Sequence, residues 1–379
     1  MHILKKILIL VIVCVTIFII HQLLNARRAI KIEEGFGEDE INKIKGSEQP
    51  VSIGPIQDKY LDLPLREFIV KSSYNSAISG EYANKEMIRI VLQRGCRLLD
   101  FEIFTNSNLE YVSLSKDDQF SMDTLNDSAD RLSFVDAMGT VNAYSFINPS
   151  PSPADPLFLS LRLKNNLKKD ERRAVYKRIA DIVKVSFPNR LYQDSTGKAI
   201  DVNGSTPLRD IMGKVVVIFD TENKLSNFDK YCSDSKNECS EIFPIINIPA
   251  NVAGGLPIYT YEDITTKPYE PVLQQRDGHG TTINTFYMVV PPVDDVIQVP
   301  PPREVVLSAF PQFMLYKFHI NNTNLEEYEK MFNTAQTSFV PISSLLSVKN
   351  ENGEGIEEEE VTVSTLPKKS AGPLSFKLF

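Results

Sequence analysis

The chain is 379 residues long, with 42% hydrophobic and 24% charged residues. That is room for one large domain or two modest ones, and it excludes a mostly disordered protein, a coiled coil and a multi-pass membrane protein. A net charge of −8 argues against a nucleic-acid footprint over the whole surface, so no nucleic-acid partner is expected.

From Ile7 to Ala26 no residue is charged. At 1.5 Å rise per residue such a helix would span roughly 30 Å, the thickness of a hydrocarbon core. A cleaved signal peptide would have a shorter apolar stretch and a small-residue cleavage site. Here the run ends in His21, Gln22 and the pair Arg27–Arg28. Residues 1–28 are therefore expected to be one uncleaved transmembrane helix, which makes the location a membrane and membrane lipids the first partner. Lys5 and Lys6 before the run balance Arg27, Arg28 and Lys31 after it, so the orientation stays open.

Residues 29–58 are polar and Gly-spotted, with no steady apolar period, and read as a tether. The body, 59–348, alternates helix-like and strand-like pieces. Glu86–Leu92 has apolar residues at helical spacing, Arg97–Phe104 is β-rich, and Leu157–Leu163 is an apolar strand. Lys168–Val183 is a charged amphipathic helix, and Lys214–Phe219 reads as a buried strand. Val289–Val306, with Pro291–Pro292 and Pro300–Pro302, reads as an extended loop or edge. Phe313–His319 reads as a strand, and Asn324–Asn333 as a short helix with an Asn cap. Alternation of this kind predicts an α/β domain with a parallel sheet, open or closed into a barrel. Residues 349–379, with Glu354 and Glu357–Glu360, read as a solvated acidic tail.

One segment carries a family resemblance. It runs Leu63-Pro-Leu-Arg-Glu-Phe-Ile-Val-Lys-Ser-Ser-Tyr-Asn-Ser-Ala77 and, after a helix, Leu92-Gln-Arg-Gly-Cys-Arg-Leu-Leu-Asp-Phe-Glu102. This resembles the opening of the X region of phosphoinositide-specific phospholipase C. There a strand ending ser-ser-his-asn-thr-tyr is followed by a helix and arg-gly-cys-arg … glu-leu-asp. Leu159-Ser-Leu-Arg162, Leu208–Phe219 with Gly213-Lys214, and Asn324–Phe332 with Ser338-Phe-Val-Pro341 are similar to later blocks of the family in the same order. The resemblance implies a distorted (β/α)8 TIM barrel with its site at the C-terminal strand ends.

The resemblance also implies a chemistry. The family uses two histidines as acid and base, a Ca²⁺ held by one Asn and three carboxylates, and lysines for the ring phosphates. Carried over position by position, Tyr74 stands at the first histidine, and a phenol is a weak base at neutral pH. The metal-ligand Asn is kept as Asn75. The carboxylate pair is kept, with its members exchanged, as Asp100 and Glu102, alternate residues that point to one face of a strand. The second histidine falls in Tyr111-Val-Ser-Leu-Ser115, which has none. The third carboxylate falls at Arg162, and the two lysines fall near Ile218 and Asp220.

No catalytic residue is therefore assigned. Asn75, Asp100, Glu102 and Arg97 are the candidate ligand-binding residues; Asn75, Asp100 and Glu102 are the relic metal ligands, expected to hold no Ca²⁺. A guanidinium at 162 is expected to pair with the two carboxylates in the cation's place. The structural alternative for these acids is a buried ion-pair network with Arg162 and Arg97. Of four histidines, His2 and His21 belong to the membrane segment, leaving His279 in a loop and His319 after a strand. Cys96 is expected to be buried. The basic run Lys164–Arg178 reads as a solvated outer helix, and Gly254-Gly255 and Gly278-His-Gly280 as turns rather than phosphate loops.

Three functions follow from this reading. The first is a membrane-anchored, catalytically degenerate phospholipase-C-like barrel serving as a binding or structural module. Its resemblance to divergent viral barrels implies a virion membrane setting, with other membrane or capsid proteins as partners. The second is an active phosphodiesterase that needs Ca²⁺ and uses Asp100, Glu102 and a displaced His279. The third is an adhesion-like ectodomain, with sequons at Asn126, Asn203 and Asn321 and a Cys232–Cys239 bridge.

Overall fold

The computed structural model describes residues 15–16, 38–46, 51–80, 82–106, 109–114, 132–147, 150–164, 169–220, 241–251, 254–266, 273–275, 281–283, 285–291 and 309–345. In chain order its elements are α1 (Glu38–Gly46), β1 (Phe68–Ser73), α2 (Lys85–Gln93), β2 (Leu98–Asn106), β3 (Leu109–Val112), β4 (Leu132–Ser133) and α3 (Phe134–Ser145). Then come β5 (Leu157–Leu163), α4 (Lys169–Ser186), β6 (Val215–Asp220), β7 (Ile248–Pro249), β8 (Ile258–Thr260) and α5 (Tyr261–Thr266). The last are β9 (Leu273–Gln275), β10 (Thr281–Ile283), β11 (Met288–Val290), β12 (Phe313–Tyr316), α6 (Thr323–Ala335), β13 (Phe339–Pro341) and α7 (Ile342–Leu345).

The main ladder runs β7–β6–β5–β2–β1–β12–β11–β8, every neighbouring pair parallel. A further parallel bridge, Ala250 to Leu256, links its two ends. This is a parallel α/β fold of the barrel type. Side-chain parity divides the core in two. Phe68, Val70, Leu98, Phe158, Val216, Ile218, Met288 and Phe313 belong to an inner cluster that draws on none of the α-helices. The alternate residues, such as Ile69, Leu99, Leu159, Val217 and Met314, pack outward against the helices. Burial on both faces explains why β5 reads as a nearly unbroken apolar run. Phe158 sits 5.0 Å from Phe313 and 6.3 Å from Phe339 between ring centroids, filling the floor of the interior.

Local chemistry sets the helix ends. Asn84 caps α2 by accepting from the Glu86 amide at 2.7 Å, and Met87, Ile88, Ile90, Val91 and Leu92 are buried. Gly95 follows that helix at φ +84, where a Cβ would meet Ile53 Cδ1 at 2.6 Å. Only glycine fits there. Asn322, two residues ahead of the expected start, caps α6 by accepting from the Leu325 amide at 2.9 Å. Glu329 of α6 meets Lys71 of β1 at 3.0 Å and pairs with Arg94 after α2, so one buried carboxylate ties three elements together.

Several expectations change. Part of the tether is folded: Ile41 and Ile44, at i and i+3 on α1, are buried against the body. The Tyr111–Val112 stretch, where the second histidine of the resemblance falls, runs antiparallel to β2 and to β4. Val289 and Val290, read as the start of a loop or edge, lie in the strand Met288–Val290, which is paired on both sides; Pro291 follows the strand rather than preventing it. Lys164 is not on the basic helix, which begins at Lys169. No helix among the described residues is long and apolar enough to cross a membrane. The expected anchor, 1–28, lies outside the described residues apart from Val15 and Thr16, and the tail 349–379, Cys232, Cys239, His279 and Asn126 lie wholly outside them.

Candidate functional site

The inner parity of β2, β5 and β6 turns polar at their C-terminal ends. Asp100 and Glu102 continue the inward row of Leu98; Ser160, Arg162 and Lys164 continue that of Phe158; Asp220 continues that of Ile218. Strand register places Asp100 beside Ser160, Glu102 beside Arg162, and Arg162 beside Asp220. All six side chains are buried, Arg162 at 1% exposure. The mouth of the interior is thus a closed layer of charge.

Arg162 stands at its centre. Its Nε donates to Asp100 Oδ1 at 2.8 Å and its Nη2 to Asp100 Oδ2 at 2.6 Å, a bidentate fork. Nη2 also donates to Asn75 Oδ1 at 2.8 Å, and Nη1 to Glu102 Oε1 at 2.9 Å and Tyr74 Oη at 3.3 Å. The guanidinium carbon lies 4.5 Å from the centre of the Tyr74 ring. Burial alone would lower the arginine's pKa, but Asp100, Tyr74 and Glu102 hold it well above its ordinary value. Ser160 Oγ donates to Asp100 Oδ1 at 2.9 Å, and the Asn75 amide to Asp100 Oδ2 at 3.1 Å. Asn75 does this from a left-handed turn, φ +43, which Asn tolerates better than most residues.

Tyr74 is no base. Burial pushes its hydroxyl far above the ordinary tyrosine range, although Arg162 pulls the other way. Where the resemblance asks for a second imidazole, Ser113 lies against Glu102, its amide donating to the Glu102 carbonyl at 3.4 Å. His319 is half-buried in the turn that follows β12.

The residues do not fit Ca²⁺. A calcium ion needs oxygens at about 2.3–2.6 Å. The oxygens of Asn75, Asp100 and Glu102 instead converge on the Arg162 nitrogens at 2.6–2.9 Å. Asn75 Nδ2, buried and without a partner among the described residues, is a donor and offers a cation nothing. Among the described residues no group of three or more His, Cys, Asp or Glu is placed to hold a metal ion.

Arg97 belongs elsewhere. It lies at the opposite end of β2, where it donates to the carbonyls of Pro156 at 3.0 Å, Ser145 at 2.8 Å and Asp155. It fastens the α3–β5 connection and touches none of the mouth carboxylates, which corrects its expected place in the site. Burial lowers its pKa to about 10, partly offset by Asp155. Cys96 is buried as expected, its thiol pushed up to about 12 by burial.

Sequence reasoning missed Lys164 and Asp220 as members of the site. Lys164 Nζ lies 3.8 Å from Glu102 Oε1, and burial pushes its pKa down to about 7 against the pull of Glu102. Burial raises the pKa of Asp220, while Lys164 and Arg162 oppose the rise; Asn251 Nδ2 donates to it at 3.2 Å. The signal was the period of two beyond Arg162, hidden because Lys164 also opens a basic run.

Residues 61–220 match the family described as phosphatidylinositol-specific phospholipase C, X domain. Among solved structures the chain is similar to L. pealei PLC21, with a TM-score of 0.50 at 13% identity over 74% of this chain and 37% of that one. It is also similar to a calcium-dependent phosphoinositol-specific phospholipase C from Pseudomonas sp, with a TM-score of 0.44 at 10% identity over 78% of this chain and 100% of that one. The first of these shows a shared fold. The chain spans little more than a third of the length of L. pealei PLC21. No curated protein matches it.

Proposed function

The chain belongs to the phosphatidylinositol-specific phospholipase C X-domain-like family, and from that membership we propose that it is a catalytically silent member acting as a binding or structural module at a membrane. The observation that supports this reading is the Arg162 guanidinium, bonded to Asn75, Asp100 and Glu102 where the family's cation would sit. With their oxygens bonded to a guanidinium, these three residues are not free to hold a metal that would lower the pKa of an attacking hydroxyl. With Tyr74 in place of an imidazole, the first acid–base position holds a phenol that stays protonated at neutral pH.

The mouth would instead be a set of fixed charges that brace the strands. The apolar run 7–26 would hold the body at a bilayer, and the sequence resemblance suggests a virion membrane. The experiment is to incubate the full chain with phosphatidylinositol vesicles, with and without Ca²⁺, and measure both headgroup release and co-flotation. Co-flotation with no release is the expected result. Calcium-dependent release would return the chain to the active enzymes, and failure to float would remove the membrane role.

A further inference from the structure

We infer that α1 is a two-state latch on the loop that carries Asn75, so that its release loosens one wall of the mouth. The inference deepens the preceding reading by giving the silent site a means of regulation.

The described loop residues 75–80 and 82–84 follow β1 at the mouth. At its start the Asn75 amide donates to Asp100 Oδ2 at 3.1 Å and the Ser76 amide to the Asp100 carbonyl at 2.8 Å. At its far end α1 holds it. Ser79 Oγ donates to Glu40 Oε2 at 2.9 Å. Gly80, at φ +154, faces the same carboxylate: a Cβ there would lie 2.7 Å from Glu40 Oε1. Ile41 and Ile44 are buried in the apolar cluster that includes Ala77, Ile78, Ala83 and Met87. Lys45 Nζ pairs with Glu86 Oε1 at 2.6 Å at the first turn of α2.

These contacts define an element with two states. A nine-residue helix is too short to persist alone in water, because nucleation outweighs so few propagating bonds. α1 is therefore helical when docked and unwound when released, in one step. A helix of this length, held in part by a half-exposed ion pair, belongs toward the low end of local stability. The loop has the opposite dependence. Its Ala77, Ile78 and Ala83 lose part of their cover when α1 leaves, and Ser79 exchanges the Glu40 carboxylate for the Tyr82 carbonyl alone, 3.2 Å away.

The test is hydrogen exchange followed by mass spectrometry on the full chain in mild detergent. The variants are Ile41→Asp with Ile44→Asp, and separately Gly80→Ala, which crowds the Glu40 carboxylate from the loop side. In both, amides of 38–46 and 75–84 should exchange at least tenfold faster, while those of 157–163 and 215–220 keep their wild-type rates. Fast exchange in 38–46 with 75–84 still protected would overturn the latch, and so would equal acceleration everywhere, which would make α1 part of one cooperative fold. Neither outcome depends on turnover, so the latch and the silent-enzyme reading can fail separately.

Discussion

At residue 162 a single side chain pairs with two buried carboxylates. Charges so placed have lost their hydration, and only close pairing returns part of that cost. Deleting one partner therefore hurts more than deleting all. Arg162→Met should lower unfolding stability by about 3–5 kcal/mol. The combination Arg162→Met, Asp100→Asn, Glu102→Gln should recover most of the loss; urea denaturation measures both. A single variant as stable as wild type would mean that water enters the mouth. The carboxylates at 100 and 102 and the arginine at 162 were legible in the sequence because a family pattern supplied their partners and a period of two supplied their face. Arg97 was misplaced for a physical reason. It is three residues from Asp100, but strand parity sends odd and even positions to opposite faces, and it sits at the other end of β2.

At the scale of elements, Arg97 and Asp155 join β2 to the α3–β5 connection and to the segment before β1. Asp155 Oδ1 accepts from the Ile56 amide at 3.2 Å. Burial raises its pKa to about 6, with Arg97 opposing the rise. A carboxyl whose folded pKa exceeds its unfolded value, about 3.9, holds its proton longer when folded. Its contribution is present in full below the unfolded pKa and is lost as pH rises through about 6. Asp155→Asn keeps the acceptor for Ile56 and removes the titration, so the stability difference between variant and wild type should grow in the variant's favour from pH 4 to pH 7. Equal slopes would show that Asp155 titrates as it does in the unfolded chain. Most central elements could be read from apolar period and length. Those that escaped were short or conditional. α1 shows only two apolar residues, Ile41 and Ile44, and becomes helical through docking; β11 has three residues before a proline pair.

For the whole molecule, the ladder order could not be read from composition; it followed only from the family pattern, because pairing between distant strands leaves no local signal. One prediction belongs to this scale. Ligands that bind only the folded state raise its stability by about 2.7 kcal/mol at a hundredfold excess over Kd. Millimolar Ca²⁺ should leave the Tm of wild type unchanged, and that of Arg162→Glu nearly so, because Lys164 stays 3.8 Å from Glu102. Arg162→Glu combined with Lys164→Met should gain about 2 °C or more. A shift in wild type would show that calcium binds after all.

The occupancy of a metal site follows the free concentration of its ion, rising and falling with the compartment and with every competing chelator. A guanidinium on the chain has no such dependence. It is delivered in one copy with each polypeptide, cannot be washed out, and is present wherever and whenever β5 pairs with β2. The barrel mouth therefore receives its cation in the act of folding itself.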